Sequence, residues 1–312
     1  MNLIIRANAS LKIGTGHVMR CLALAQAWQE TGGEAIFILN TEACVLQERL
    51  RSQSMKVAHL SVSSGSTEDA KQTASFAHQF DAEWAVVDGY NFGADYQRVI
   101  KDAGLRLLFI DDYGHAAHYW ADLVLNQNVY AHQGLYPKRE SYTKLLLGTQ
   151  YTLLRKEFWP WQGWQRQMPT VARKVLVTLG GADPDNVTLK VIQALQQVKV
   201  KGLEAVVVVG GSNPHYQQLQ AAVHDSGAAI ALKYNVTNMP ELMAWADIAI
   251  AAGGSTCWEL AFMGLPSVII ILADNQRAIA EKLDGIGVAV NLGWHEEVLV
   301  AHIIQTLTEL LL

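Results

Sequence analysis

The chain has little cysteine, little charge and no long apolar run, and each shortage excludes something. Cysteine occurs three times in 312 residues, as Cys21, Cys44 and Cys257. The three are scattered, with no CxxC pair and no His/Cys cluster at zinc spacing, so neither a disulfide scaffold nor a structural metal site is expected. A reducing, cytoplasmic compartment is the expected setting. Charged residues make up 17% of the chain and the formal net charge is −5, which argues against a general nucleic-acid or membrane-surface binder while leaving room for a local pocket for an anion. No apolar run is long enough to span a bilayer. Met1 leads straight into Leu3-Ile4-Ile5, without the basic, apolar and cleavage regions of a secretory leader. A Walker A lysine loop, HExxH and GxSxG are all missing.

What is present is a large supply of core. Half of the residues are hydrophobic, and the length suits two α/β domains better than one. Short apolar runs at 3–6, 35–39, 84–87, 105–110 and 123–125 read as strands, and helical spacing, as at 18–28, lies between the first four. That alternation predicts a parallel sheet with right-handed crossovers. Around 158–172 the pattern breaks in Phe158-Trp159-Pro160-Trp161-Gln162-Gly163-Trp164, read as an interdomain connector. The theme then restarts: a strand at 174–179, a glycine loop, a helix from about Asn186, strands at 205–209 and 248–251, and a closing helix over about 296–312. The expected organisation is α/β, two Rossmann-like domains over 1–159 and 171–312, facing across a cleft where a ligand binds.

Each half opens with strand, glycine loop and helix, and those loops hold the candidate chemistry. The first reads Gly14-Thr15-Gly16-His17-Val18-Met19-Arg20. Met19 stands where a dinucleotide fingerprint has its third glycine. His17 falls at a helix N-terminus, where backbone N–H groups disfavour imidazolium and suit a neutral, proton-accepting ring; a loop-filling or capping histidine accounts for the spacing equally well. Arg20, one turn on, suits a phosphate or an acidic partner. The second half offers Gly253-Gly254-Ser255-Thr256, where glycines let a ligand approach the backbone and a helix start supplies free N–H groups for a diphosphate. Glu259 lies one turn further, placed to accept bonds from ribose hydroxyls. Gly180, Gly181 and Asp183 form another loop, though a turn with an N-cap explains Asp183 nearly as well. Asp88-Gly89-Tyr90, Asp111-Asp112-Tyr113 and Asn126-Gln127-Asn128 follow strands, where both a site and ordinary turn chemistry put such residues.

These residues, in this order, resemble the PseG family. The resemblance runs through Arg6-Ala7-Asn8-Ala9-Ser10 and Ile13 to Leu22, then Asp88-Gly89-Tyr90, Ile110-Asp111-Asp112, residues 121–128 and residues 147–155. It continues in Gly180-Gly181-Ala182-Asp183-Pro184, Ala252 to Thr256 and Asn275-Gln276. It implies a GT-B fold similar to that of MurG and hydrolysis of UDP-2,4-diacetamido-2,4,6-trideoxy-β-L-altropyranose in pseudaminic acid biosynthesis, with water as acceptor and His17 as general base. Tyr90 is the second candidate at the reacting centre, orienting sugar or water. Gly14, Gly16, Arg20, Asn126, the two glycine loops, Glu259, Asn275 and Gln276 are expected to bind the UDP-sugar, with no cofactor and no metal, since neither loop offers a carboxylate pair at ligand spacing. One departure is Asn8, where the family's opening carries aspartate. A MurG-like glycosyltransferase, or a hydrolase for a related nonulosonic-acid pathway sugar, is the alternative.

Overall fold

A computed structural model describes residues 1–8, 15–40, 44–224 and 229–311. It divides the chain into two compact units, Met1–Lys156 and Glu157–Leu312.

The first unit runs β1 (Asn2–Ala7), α1 (Gly16–Glu30), β2 (Glu34–Leu39), α2 (Cys44–Ser52), β3 (Lys56–His59), α3 (Thr67–Gln79), β4 (Ala82–Asp88), α4 (Ala94–Asp102), β5 (Arg106–Ile110), β6 (Leu123–Asn126) and β7 (Lys144–Leu147). Its seven strands lie in the order β3-β2-β1-β4-β5-β6-β7, with parallel pairing throughout. Both faces of the sheet are covered, so the strands read as unbroken apolar runs rather than alternating ones. Within β1, Ile4 joins the core that includes Ala70 and Ala74 of α3 and Ile100 of α4, whereas Leu3 and Ile5 join the core that includes Val18 and Leu22 of α1. The strand order reverses between β1 and β4, and such a reversal opens a crevice at the C-terminal ends of the strands. There the register sets Ala7 beside Asp88, and Asp88 beside Ile110.

The second unit repeats the plan with β8 (Lys174–Thr178), α5 (Val187–Gln197), β9 (Glu204–Val209), α6 (Tyr216–His224), β10 (Ile230–Tyr234), α7 (Met239–Trp245), β11 (Ile248–Ala252), α8 (Thr256–Phe262), β12 (Ser267–Ile271), α9 (Arg277–Gly285), β13 (Ala289–Trp294) and α10 (Val300–Leu311). Six parallel strands in the order β10-β9-β8-β11-β12-β13 place the reversal between β8 and β11. The closing helix α10 sinks Ile303, Leu307 and Leu311 into this unit's own core, beside Val191 and Leu195 of α5. In the aromatic segment Phe158 is buried and meets Phe262 edge-on. The Arg166 guanidinium donates to the carbonyls of Met243, Ala246 and Met263, satisfying oxygens left open where α7 and α8 end.

The α/β two-sheet architecture expected from the sequence is borne out. Strands β3, β7, β10, β12 and β13 are additional to the expected runs. Four of them are sheet edges, and no residue of β3, β7 or β10 is fully buried; β3 and β10 lack the apolar run that gives a central strand away, and in β7 the run is only Leu145–Leu147.

Candidate active site

A dense buried polar network of the first unit lies at its strand reversal. His17 falls in the first turn of α1, immediately after the connection that leaves β1. Its Nδ1 is 2.7 Å from Asp88 Oδ1, the last residue of β4. A carboxylate can only accept, so Nδ1 is the donor in this contact, and a neutral ring bonded in this way keeps its lone pair on Nε2; Arg20 Nη2, itself only a donor, lies 3.1 Å from the same Nδ1. Among the described residues Nε2 has no hydrogen-bond partner, and the Tyr90 ring stands edge-on to the imidazole at 4.8 Å between centroids.

Arg20, one turn along α1, holds the acids together. It donates from Nε to Asp88 Oδ2 at 2.6 Å, from Nη2 to Asp88 Oδ1 at 2.7 Å and from Nη1 to Asp112 Oδ1 at 2.7 Å. Of the two roles left open for Arg20 in the sequence, this is the acid's partner, and its partners are buried. Asp112 also accepts from the Tyr90 hydroxyl at 2.8 Å and from Asn128 Nδ2 at 2.9 Å. Burial opposes the charge on both carboxylates, but Arg20 beside them, with His17, holds each below the ordinary carboxylate range. Burial opposes the guanidinium charge as well, and the two aspartates overcome it, pushing Arg20 well above its usual value. Asn126 is fully buried and fixes the loop: Nδ2 donates to the Asp112 carbonyl and to Tyr136 Oη, while Oδ1 accepts from Asn128 N–H. Gly89 has φ +149°, and a Cβ there would lie 2.7 Å from Asn8 Nδ2, so only glycine lets the ends of β1 and β4 close up.

The second unit is built differently. Gly253 and Gly254 follow β11 directly. A Cβ on Gly254 would meet nothing, whereas one on Gly253 would press on Gln276 at 3.0 Å. Gln276 Oε1 accepts from Gly253 N–H at 3.2 Å and from Leu272 N–H at 2.9 Å, tying the glycine loop to the end of β12. Ser255 and Thr256 are half-buried at the start of α8, with no side-chain cap, and Glu259 is half-buried in its first turn. Asn275 is exposed beside Gln276. Asp183 is a helix cap: its carboxylate accepts from the N–H groups of Val187 and Thr188 at 2.9 Å each. Gly180 is exposed with φ +89°, and Gly181 lies so close to Gly210 that a Cβ on the latter would come within 2.4 Å of it.

The structure therefore brings His17, Arg20, Tyr90 and Asn126 into one network, and it groups Gly253, Gly254, Ser255, Thr256 and Gln276 into another. Gly16 opens α1, exposed, and Gly14 lies outside the described residues. Asp88 and Asp112 do more at the first site than their positions after strands revealed, since an aspartate after a strand is equally a turn residue. No group of three or more His, Cys, Asp or Glu side chains among the described residues is arranged to hold a metal ion. Among those residues no helix is long and apolar enough to cross a membrane.

Known proteins match at both levels. The profile of the glycosyltransferase family 28 C-terminal domain matches residues 175–312. The protein MJ1062 of Methanocaldococcus jannaschii is 26% identical over 284 residues, 89% of this chain, and the chain spans only 57% of that relative's length. A UDP-2,4-diacetamido-2,4,6-trideoxy-beta-L-altropyranose hydrolase of Campylobacter jejuni is 25% identical over 91% of this chain and 96% of its own. Among solved structures, MurG of Acinetobacter baumannii superposes with a TM-score of 0.65 at 17% identity, covering 99% of this chain and 91% of that one, which establishes the GT-B fold. The resemblance read from the motifs is thus borne out: the chain has the GT-B fold and is similar over most of its length to a UDP-2,4-diacetamido-2,4,6-trideoxy-β-L-altropyranose hydrolase.

Proposed function

We propose that the protein hydrolyses the anomeric C–O bond of a UDP-linked diacetamido-trideoxyhexose, releasing free sugar and UDP, as a step of pseudaminic acid biosynthesis. The observation that carries this reading is the His17–Asp88 pair. Asp88 fixes the tautomer in which Nε2 is the acceptor, and its negative charge stabilises the imidazolium that forms when Nε2 takes a proton, as an aspartate does behind the base of a hydrolytic triad. In the proposed step Nε2 removes a proton from water as its oxygen bonds to the anomeric carbon. The bond from that carbon to the UDP oxygen breaks, and its electron pair leaves with UDP. Phosphorus is untouched, and a single displacement inverts the anomeric centre. A carboxylate nucleophile for double displacement has no candidate beside His17, because Asp88 and Asp112 are both committed to Arg20.

The second unit is assigned the nucleotide. Residues 253–256 offer backbone N–H groups to the diphosphate, Glu259 accepts from the ribose hydroxyls, and Gln276 holds the glycine loop in shape. The chemistry asks for no metal and no cofactor in this reading, and the cytoplasm is its setting. The match to a glycosyltransferase family 28 domain favours one second reading, transfer of the sugar to a carbohydrate or lipid acceptor. Incubation with UDP-diacetamido sugars and no acceptor separates the two. Stoichiometric free sugar and UDP are expected, whereas turnover only on adding an acceptor would replace hydrolysis by transfer. In ¹⁸O-water the label is expected in the sugar hydroxyl; label in UDP would mean attack at phosphorus.

A further inference from the structure

His115 has no part in the steps above, yet both of its ring nitrogens are engaged. Nδ1 lies 3.2 Å from Asp111 Oδ1 and Nε2 lies 3.1 Å from the Phe92 carbonyl oxygen. Neither oxygen has a proton to give. A neutral imidazole has one N–H and one lone pair, so in either tautomer the lone pair would face an oxygen. Only the imidazolium satisfies both contacts.

The two acceptors belong to different loops. Phe92 lies in the loop after β4, which begins at Gly89, directly after Asp88, and carries Tyr90; Asp111 opens the loop after β5, which carries Asp112. Asp111 Oδ1 also gathers the N–H groups of Asp112 at 2.6 Å, Tyr113 at 3.0 Å and Gly114 at 3.1 Å, while Oδ2 accepts from the Tyr119 hydroxyl. The His115 ring packs against Tyr113 and Phe109 at 5.6 Å and against Tyr90 at 5.9 Å. The titratable groups around it are thus Asp111, Asp112 and Tyr113 of its own loop, Tyr90 of the β4 loop and Tyr119 beyond. Burial works against the charge, but the hydrogen bond and charge of Asp111 outweigh it and hold the ring above the usual histidine range.

We propose that His115 is a protonated staple between these loops, a positioning residue that sets Asp88 and Asp112 against His17 and Arg20, so that its deprotonation produces an alkaline limb in turnover. The catalytic half of this rests on the reading of His17 as the base. The sign follows from the direction of the shift. A histidine raised in the folded state contributes stability that is complete below its ordinary range, near about 6.5, and lost as pH rises through the folded value.

The test has two parts. Long-range ¹⁵N–¹H spectra of histidine-labelled protein, with His115 assigned from His115→Gln, should show both ring nitrogens still protonated at a pH just above the ordinary histidine range, about 6.5, with the titration on its alkaline side. For His115→Gln, kcat should fall about tenfold with KM nearly unchanged, and the alkaline limb should flatten. A neutral His115 ring at that pH overturns the staple whatever the reaction is. A variant with wild-type kcat and wild-type pH profile overturns the positioning role even if the ring is charged. Absence of any UDP release by the wild-type protein would instead remove the hydrolase reading, with the ring titration still deciding the staple.

Discussion

The two units share a topology and differ in what they put at the strand reversal. In the first, side chains fill it: His17, Arg20, Asp88 and Asp112 are all nearly buried and bonded to one another. In the second, glycines and hydroxyl residues line it, and the side chain that reaches in, Gln276, serves the backbone. A packed network of charges cannot rearrange cheaply, because each buried charge needs its partner. It suits a group that must be held in one geometry through a reaction. A glycine loop presents N–H groups at low steric cost and suits a large anionic ligand. In the proposed reading chemistry belongs to the first unit and nucleotide binding to the second, and that division can be broken at each.

The largest effect is expected at the base. His17→Ala should lower turnover about 10²–10⁴-fold with UDP affinity unchanged. Asp88→Asn, which keeps the shape but offers His17 an amide, should fall in a similar range through the wrong tautomer. Calorimetry with UDP beside an acceptor-free turnover assay separates the two properties. Near-normal turnover in either variant would leave the first unit without its assigned role.

Next is Arg20. Arg20→Met leaves Asp88 and Asp112 buried without their cation, and breaking such a pair costs roughly 3–5 kcal/mol, which urea denaturation would read. The wild-type pH dependence follows from the same contacts. Both carboxylates are depressed in the folded state, so their stabilisation is fully present above the ordinary aspartate range, near about 3.9, and is lost as pH falls through the lower folded values. The wild type should keep this contribution through mild acid, and the variant should show a shallower acid dependence. Equal acid slopes would mean that the pairs contribute nothing.

In the second unit, Glu259→Ala should weaken UDP binding by about tenfold, the worth of a charge-assisted hydrogen bond, without altering stability. Unchanged affinity by calorimetry would remove Glu259 from the ribose site.

Much of this was legible in the sequence, for identifiable reasons. Most central strands announce themselves because burial on both faces requires unbroken apolar runs, as in Ile248–Ala252, although the equally buried central run Ser267–Ile271 is not among the expected strands. Edge strands such as Lys56–His59 do not, since half their surface meets water. His17 stood out by its place at a helix start, but its partner did not. Asp88 follows it by 71 positions, and only the parallel register of β1 and β4 brings the two together. Asn8 was legible as a departure, and the structure gives it a neutral setting. Its Oδ1 accepts from Ser64 Oγ at 2.5 Å, while its buried Nδ2 has no partner among the described residues. His115 carried no local signal, because a histidine engaged on both nitrogens is visible only once two loops are seen together.

A last test concerns two buried thiols, one in each unit. Burial and then the nearby Asp88 charge push the Cys21 thiol well up, and burial alone pushes Cys257 to about 12. Alkylation needs the thiolate, so below that range neither cysteine reacts in the closed protein, and each rate reports opening of its own surroundings. Cys44 is exposed and serves as the fast internal control. Cys257 follows the glycine loop in the first turn of α8, so UDP bound there must leave before this part of the second unit opens. At 100 times its dissociation constant a ligand stabilises by about 2.7 kcal/mol, which slows opening-limited alkylation about 100-fold. UDP should therefore protect Cys257 by roughly that factor and leave Cys21 near its original rate. Mass spectrometry of the two peptides gives both rates from one sample. Protection of Cys21 alone would move the nucleotide to the first unit and reverse the comparison. Equal protection of both would mean that the two units open as one.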